Sequence, residues 1–149
     1  MERKMATQFV IDIPAGLTIT QMVELGKYNW VNENVKTKFE LDPTLVGKWE
    51  CELVEPKKSI TSESASKLCS DDGWMPAQVD HLLMFGSTYP KLQRQNWIVG
   101  LGSSCQNKFD HRVVPVLFSD DRSRDLDLSY WGIDWNSDCR FLRVRRLGT

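Results

Sequence analysis

The sequence is most informative from Arg122 to Arg146, where it reads RSRDLDLSYWGIDWNSDCRFLRVRR. Apolar side chains recur along it at intervals that suit a buried floor beneath an exposed surface. We call these apolar positions the scaffold set; its members are Leu126, Leu128, Trp131, Trp135, Phe141 and Val144, with Leu142 beside them. The scaffold set predicts that the tail forms strands and loops packed on a core.

The residues between the scaffold positions have no chemistry in common. They include acids, hydroxyls, an aromatic, an aliphatic, a glycine, an amide and a thiol. We call them the mixed set; its members are Asp125, Asp127, Ser129, Tyr130, Gly132, Ile133, Asp134, Asn136, Ser137, Asp138 and Cys139. One active site built for one reaction does not explain such a mixture, whereas a surface whose exposed side chains are free to vary does.

The genetic code separates the same two sets. Every member of the mixed set has a codon that ends in a pyrimidine and differs from an asparagine codon only at its two adenines. Tryptophan, leucine, phenylalanine, valine and arginine can all be encoded without adenine. A process that mutates adenines alone would therefore change the mixed set and leave the scaffold set intact.

Length and composition indicate one domain spanning residues 1–149. The chain has 149 residues, of which 41% are hydrophobic and 26% are charged, enough to bury a substantial core. The formal net charge of −1 provides no basic field for nucleic acid, so we expect no nucleic-acid partner. The arginines of the tail are interpreted as partners of nearby aspartates or as solvated groups.

No apolar run reaches the length of about 20 residues that a membrane-spanning helix needs. The opening MERKMATQ also lacks the apolar core of a signal peptide. Cytoplasmic folding is therefore the default expectation, with display on a virion or a cell surface as the alternative.

The cysteines are Cys51, Cys69, Cys105 and Cys139, and no two form a C-x-x-C pair. This spacing does not favour a zinc site, and without a secretory signal free thiols are favoured over disulfides. We expect neither a metal nor a cofactor.

The order of elements predicts an α+β fold. A strand is expected over residues 8–13, followed by helices that begin near Thr18, Ser62 and Ala77. After Asn96 the sequence changes to short strands separated by turn-forming residues, and the last strand is expected over residues 140–145. Helices early and antiparallel strands late define the α+β class.

Four sequence blocks carry a resemblance to a known fold. They are GWMPAQVDHLLMF (73–85), WIVGLGS (97–103), VPVL (114–117) and RFLRVRR (140–146). Their order resembles the C-type-lectin fold in its compact, formylglycine-generating-enzyme-like form, over about Asp72 to Arg146. That resemblance implies two to three helices packed on short antiparallel strands.

The mixed tail resembles the variable region of the target proteins of diversity-generating retroelements, here residues 122–146. In that family a rigid scaffold presents variable, solvent-exposed residues to a ligand. Trp131 and Trp135 lie at positions similar to the fixed tryptophans of such tails, and residues 140–145 resemble the fixed closing strand. The resemblance implies that the mixed set binds an unidentified protein or surface ligand, and we expect a monomer and no enzymatic activity.

Three other interpretations remain open. Trp135-Asn136-Ser137-Asp138 is similar to the Trp-Asn-Asp motif of calcium-dependent lectins, but a serine interrupts it and the partner motif is missing. A formylglycine-generating-enzyme-like oxidoreductase would have to use Cys105 and Cys139, neither of which has a recognisable context. His81 and His111 are isolated, and a calcium-independent structural or interaction domain also fits the sequence.

Overall fold

Residues 8–147 are described by the computed structural model. Within them lie α1 (Ile19–Leu25), α2 (Asn34–Lys38), α3 (Ser62–Leu68) and α4 (Val79–Thr88). Single 3-10 turns occur at Pro43–Leu45 and Leu92–Arg94. Residues 1–7, on which most of the signal-peptide prediction depends, lie outside the described residues.

The strands are numbered in chain order. They are β1 (Phe9–Ile13), β2 (Trp30–Val31), β3 (Gly47–Val54), β4 (Ile60–Thr61), β5 (Met75–Pro76), β6 (Ile98–Val99), β7 (Cys105–Gln106), β8 (Arg112–Ser119), β9 (Arg124–Tyr130), β10 (Asp134–Trp135) and β11 (Arg140–Arg146). Helices and strands together confirm the predicted α+β class. The described residues hold four α-helices instead of two or three, because the short α2 carries little apolar periodicity in sequence.

The main sheet has nine strands, with the order β1-β3-β11-β6-β8-β9-β2, while β5 also pairs with β11 and β7 with β8. The prediction of antiparallel strands needs one correction, because β6 pairs with β11 and β2 with β9 in parallel. Each of those pairs joins strands far apart in the chain, and local turn signals cannot reveal such a pairing. β4 and β10 form a separate antiparallel pair.

Each face of the main sheet packs against its own hydrophobic core. The first core joins α1, α2 and α4 to the sheet and contains Met22, Val35 and Leu82 beside Leu117 and Leu126. The second core lies on the opposite face, beneath α3 and the segment 131–139. Its members include Ala65, Cys69, Val99, Val114, Val116, Trp135, Cys139 and Phe141.

Strand alternation distributes the residues of β9 between those faces. Leu126 is opposite Leu117 of β8 and belongs to the first core, as does the partly buried Leu128. Asp127 and Ser129 are opposite Val116 and Val114, so they lie on the face of the second core. The tail therefore contributes to both faces of the sheet.

No helix among residues 8–147 combines the length and the apolar character that crossing a membrane would require.

Candidate binding surface

The segment that links β9 to β11 carries most of the exposed members of the mixed set. We call this group the tail surface; it comprises Tyr130, Gly132, Ile133, Asp134, Asn136, Ser137 and Asp138, all of which are exposed. Tyr130 and Ile133 supply its apolar area, at 47% and 37% exposure. These residues follow one another along a loop that covers the second core.

Cys139 does not belong to the exposed surface, contrary to the expectation for the mixed set. Its residue is 3% exposed and lies in the second core beside Trp135 and Phe141. Its thiol lies 3.7 Å from the Asn136 side-chain oxygen, and burial raises the pKa of Cys139. The chain turns inward here to begin β11, so the cysteine fills the core.

Asp125, Asp127 and Ser129 are half-buried members of the mixed set. The carboxylate of Asp127 accepts a hydrogen bond from Asn32 Nδ2 at 2.9 Å and one from its neighbouring backbone N–H at 2.7 Å. Asp125 accepts one from Ser123 Oγ at 3.2 Å. Asp125 Oδ1 is buried and accepts no hydrogen bond within residues 8–147. Both carboxylates are therefore partly withdrawn from solvent, so the tail surface is narrower than the mixed set.

The scaffold set also divides. Leu126, Trp135, Phe141 and Val144 are at most 1% exposed. Leu128 and Trp131 are half-buried and pack at the margins of the two cores. Trp131 is therefore part floor and part surface, whereas Trp135 is wholly floor.

A buried serine connects the two tryptophans of the loop. The indole N–H of Trp135 donates to Ser62 Oγ at 2.8 Å, and Ser62 Oγ in turn donates to the backbone carbonyl of Trp131 at 2.7 Å. The Trp135 ring also meets Phe141 edge to face, with centroids 6.0 Å apart. Ser62 begins α3, so the first turn of that helix fixes the start of the loop and its central anchor.

Trp131 is held from both sides. Its indole N–H donates to Glu63 Oε2 at 2.8 Å, and this hydrogen bond is the main cause that lowers the pKa of Glu63. The guanidinium of Arg112 lies 3.6 Å from the centroid of the indole ring. The backbone N–H of Trp131 donates to the Arg112 carbonyl at 2.9 Å, which joins the loop to β8.

The second half of the loop is a hydrogen-bonded turn. Asn136 Oδ1 accepts from the Asp138 N–H at 2.9 Å, and the Cys139 N–H donates to the Asn136 carbonyl at 3.2 Å. Arg140 donates to the carbonyls of Ser137 and Cys139, and Asn96 Nδ2 donates to that of Asp138. Apart from Asn136, none of the exposed side chains of the tail surface takes part in these hydrogen bonds.

Two hollows adjoin the tail surface. One, of about 600 Å³, is lined by Tyr130–Ile133 together with Asp110, His111 and Arg112. The other, of about 470 Å³, lies between Asn136–Cys139 and Gln93–Trp97, with Ser119. Sequence reasoning missed Arg112 and Trp97 because they lie outside the tail, and only the sheet brings them beside it.

The two cysteines named for the oxidoreductase interpretation lie where burial favours the neutral thiol. Burial raises the pKa of Cys105 as well as that of Cys139, which disfavours the nucleophilic thiolate. His81 is fully buried and burial lowers its pKa to about 3. Among residues 8–147, no group of three His, Cys, Asp or Glu side chains is placed to hold a metal ion.

Comparisons of the chain with protein-family models, with curated proteins and with solved structures found no significant match.

Proposed function

We propose that this chain is a ligand-binding protein whose C-terminal surface is diversified by adenine-directed mutagenesis from a retroelement, on a C-type-lectin-like fold. Its partner is an unidentified protein or surface ligand. One observation carries the proposal: the exposed loop positions Tyr130–Asp134 and Asn136–Asp138 belong to the mixed set, apart from Trp131. The buried Trp135 and Phe141 instead have codons without adenine.

The construction of the loop supports this function. The loop backbone and its tryptophans are held by side chains that do not belong to the mixed set, namely Ser62, Glu63, Arg112, Asn96 and Arg140. Exposed side chains such as those of Tyr130 and Ile133 can therefore change while the backbone keeps its course. A preformed surface also avoids the entropic cost of ordering a loop on binding.

The thermal stability of a multiply substituted variant tests whether the exposed residues of the tail surface are free to vary. A variant carrying Tyr130→Ser, Ile133→Ser, Asp134→Ser and Ser137→Ala changes exposed positions alone. Substitutions of this kind usually change the free energy of unfolding by about 0.5 kcal/mol or less each. We expect its melting temperature to stay within a few degrees of wild type.

The matched control is Trp135→Ala, which removes one buried side chain from the same loop. Loss of a buried aromatic residue usually costs about 3–5 kcal/mol, so this single change should lower the melting temperature far more than the fourfold variant. A fourfold variant that unfolds as readily as Trp135→Ala would show that the exposed side chains are structural. That result would overturn the proposed surface.

The diversification half is tested at the gene. Sequencing the locus should find an adenine-rich repeat that matches the codons for Asp125 to Cys139, close to a reverse transcriptase gene. Its mismatches to the gene should fall at template adenines. A locus without such a repeat would leave a binding surface with no retroelement behind it.

A further inference from the structure

The turn that precedes β8 presents an aromatic ring to solvent in a fixed position. Phe109 is 66% exposed, the most exposed large hydrophobic side chain among the described residues. Asn107 Oδ1 accepts hydrogen bonds from the N–H groups of Phe109 and His111, at 2.9 and 3.0 Å, and the Asn107 N–H donates to the His111 carbonyl. The ring is therefore carried by an ordered turn.

Arg112, just beyond that turn, is also held in one orientation. Its guanidinium stacks on the Trp131 ring at 3.6 Å, and Nε donates to Ser104 Oγ at 3.0 Å. Within residues 8–147 its two terminal nitrogens donate to no acceptor, and no carboxylate lies within 4.0 Å of them. Both terminal NH2 groups of Arg112 can therefore donate to an acceptor with two oxygens, such as a carboxylate.

Aromatic and aliphatic side chains line the hollow that Arg112 borders. Tyr130, 47% exposed, meets His111 edge to face at 5.3 Å between centroids, and Ile133 is 37% exposed. The hollow of about 600 Å³ between them has Arg112 at its wall and Asp110 as its acidic lining residue. Lys108 lies 5.2 Å from the Phe109 ring centroid. Glu63, which accepts the Trp131 indole N–H, is the carboxylate whose pKa the charge of Arg112 also lowers, but the two form no salt bridge within 4.0 Å.

We infer that Phe109, Arg112, Tyr130 and Ile133 form an anchoring site for a protein partner that presents a carboxylate side chain flanked by apolar residues. The partner's carboxylate accepts hydrogen bonds from both terminal nitrogens of Arg112. The apolar side chains beside that carboxylate pack on Phe109, Tyr130 and Ile133. Arginine and tyrosine in an apolar surround are the residue types that dominate binding energy at interfaces. This inference rests on the proposed function and adds two fixed residues from outside the tail, Phe109 and Arg112, to the variable positions Tyr130 and Ile133.

A random dodecapeptide library displayed on phage and panned on the immobilised full-length protein tests the site. Wild type should enrich peptides that place Asp or Glu beside aromatic or aliphatic residues. Replacement of that acid by its amide in the synthesised peptide should weaken binding about 10-fold, because charge-assisted bidentate hydrogen bonds are strong. Arg112→Gln should lose the same peptides, and Arg112→Lys should retain them weakly.

Arg122→Gln is the matched control, since Arg122 is exposed on the β8–β9 turn and should leave enrichment unchanged. Melting temperatures of the Arg112 variants show whether each is folded. Enrichment of acidic peptides that survives Arg112→Gln, enrichment of neutral or basic peptides, or no enrichment would overturn the anchor. If Ser137→Ala with Asp138→Ala abolishes binding while Arg112→Gln does not, the proposed function stands and the anchor alone fails.

Discussion

At the scale of single residues, Ser62 does the most to keep the loop in place. It is fully buried, and its hydroxyl bonds both the Trp135 indole and the Trp131 carbonyl. A serine within SITSESAS carries no sequence signal for this role, since it reads as one of several polar residues at a helix start. Its importance depends on two residues of a distant loop, Trp131 and Trp135, which follow it in the chain by 69 and 73 residues.

Ser62→Ala should therefore destabilise the protein. The change leaves a buried indole N–H and a carbonyl without a partner, and each such group costs about 1–3 kcal/mol. Urea denaturation followed by tryptophan fluorescence measures the free energy of unfolding. Ser64→Ala, at an exposed position of the same helix, is the control and should change little; equal stability of the two variants would contradict the role given to Ser62.

At the scale of elements, β9 is fixed to the helices through Arg124. This arginine is 8% exposed and donates to the carbonyls of Gly26, Gly86 and Pro90 at 2.7, 3.0 and 2.9 Å. It also donates to Gln93 Oε1 at 3.0 Å. Gly26 ends α1 and Gly86 lies in the last turn of α4, so the cation meets the negative ends of two helices.

Arg124→Lys keeps the charge but removes the planar fork that reaches these acceptors together. We expect the free energy of unfolding to fall by about 3 kcal/mol, because hydrogen bonds to charged groups contribute roughly 1.5–3 kcal/mol each. Thermal denaturation of this variant and of Arg122→Lys, whose arginine is exposed on the preceding turn, makes the comparison. Matching melting curves would show that Arg124 does not secure β9.

Local patterns found several elements and missed others. The helices expected near Thr18, Ser62 and Ala77 correspond to α1, α3 and α4, and the closing strand to β11. Their apolar periodicity and capping residues are local signals. The two-residue β2 and the short α2 were missed because segments of this length are too short to show a helical or strand periodicity. β2 is a strand because it pairs with β9.

At the scale of the whole molecule, one buried histidine links stability to pH. His81 Nδ1 accepts the Gln78 N–H at 3.0 Å, which leaves the proton on Nε2, and the ring meets Trp49 edge to face at 4.4 Å. Burial, followed by the charge of Arg146, lowers its pKa from 6.5 to about 3. The folded protein therefore keeps His81 neutral where the unfolded chain would protonate it.

Stability should consequently decrease as the pH falls below 6.5. Between pH 6.5 and about 3 the unfolded chain binds the extra proton, so the free energy of unfolding should fall by about 1.4 kcal/mol per pH unit. Measurements from pH 6.5 to 5 avoid the range in which carboxylates titrate. His81→Gln should show a flatter slope, and an unchanged slope would count against a neutral His81.

Local periodicity and residue type were enough to predict the α+β class and to separate a floor from a surface in the tail. The tertiary structure decided which members of the mixed set reach solvent. Cys139 entered the core because the chain turns inward at β11, and the carboxylate of Asp127 found a partner across the fold in Asn32.

Only the sheet could bring Arg112, and with it the turn that carries Phe109, to the end of β9 where Tyr130 and Ile133 lie. The antiparallel pairing of β8 with β9 puts Val113 opposite Tyr130, which places the turn before β8 at the end of β9 where the tail loop begins. The proximity of these residues depends on the register between β8 and β9, that is, on contacts between residues that are not neighbours in the chain. No local pattern in the tail contains that information, so the sequence predicted a surface in the tail while the fold supplied its fixed neighbours.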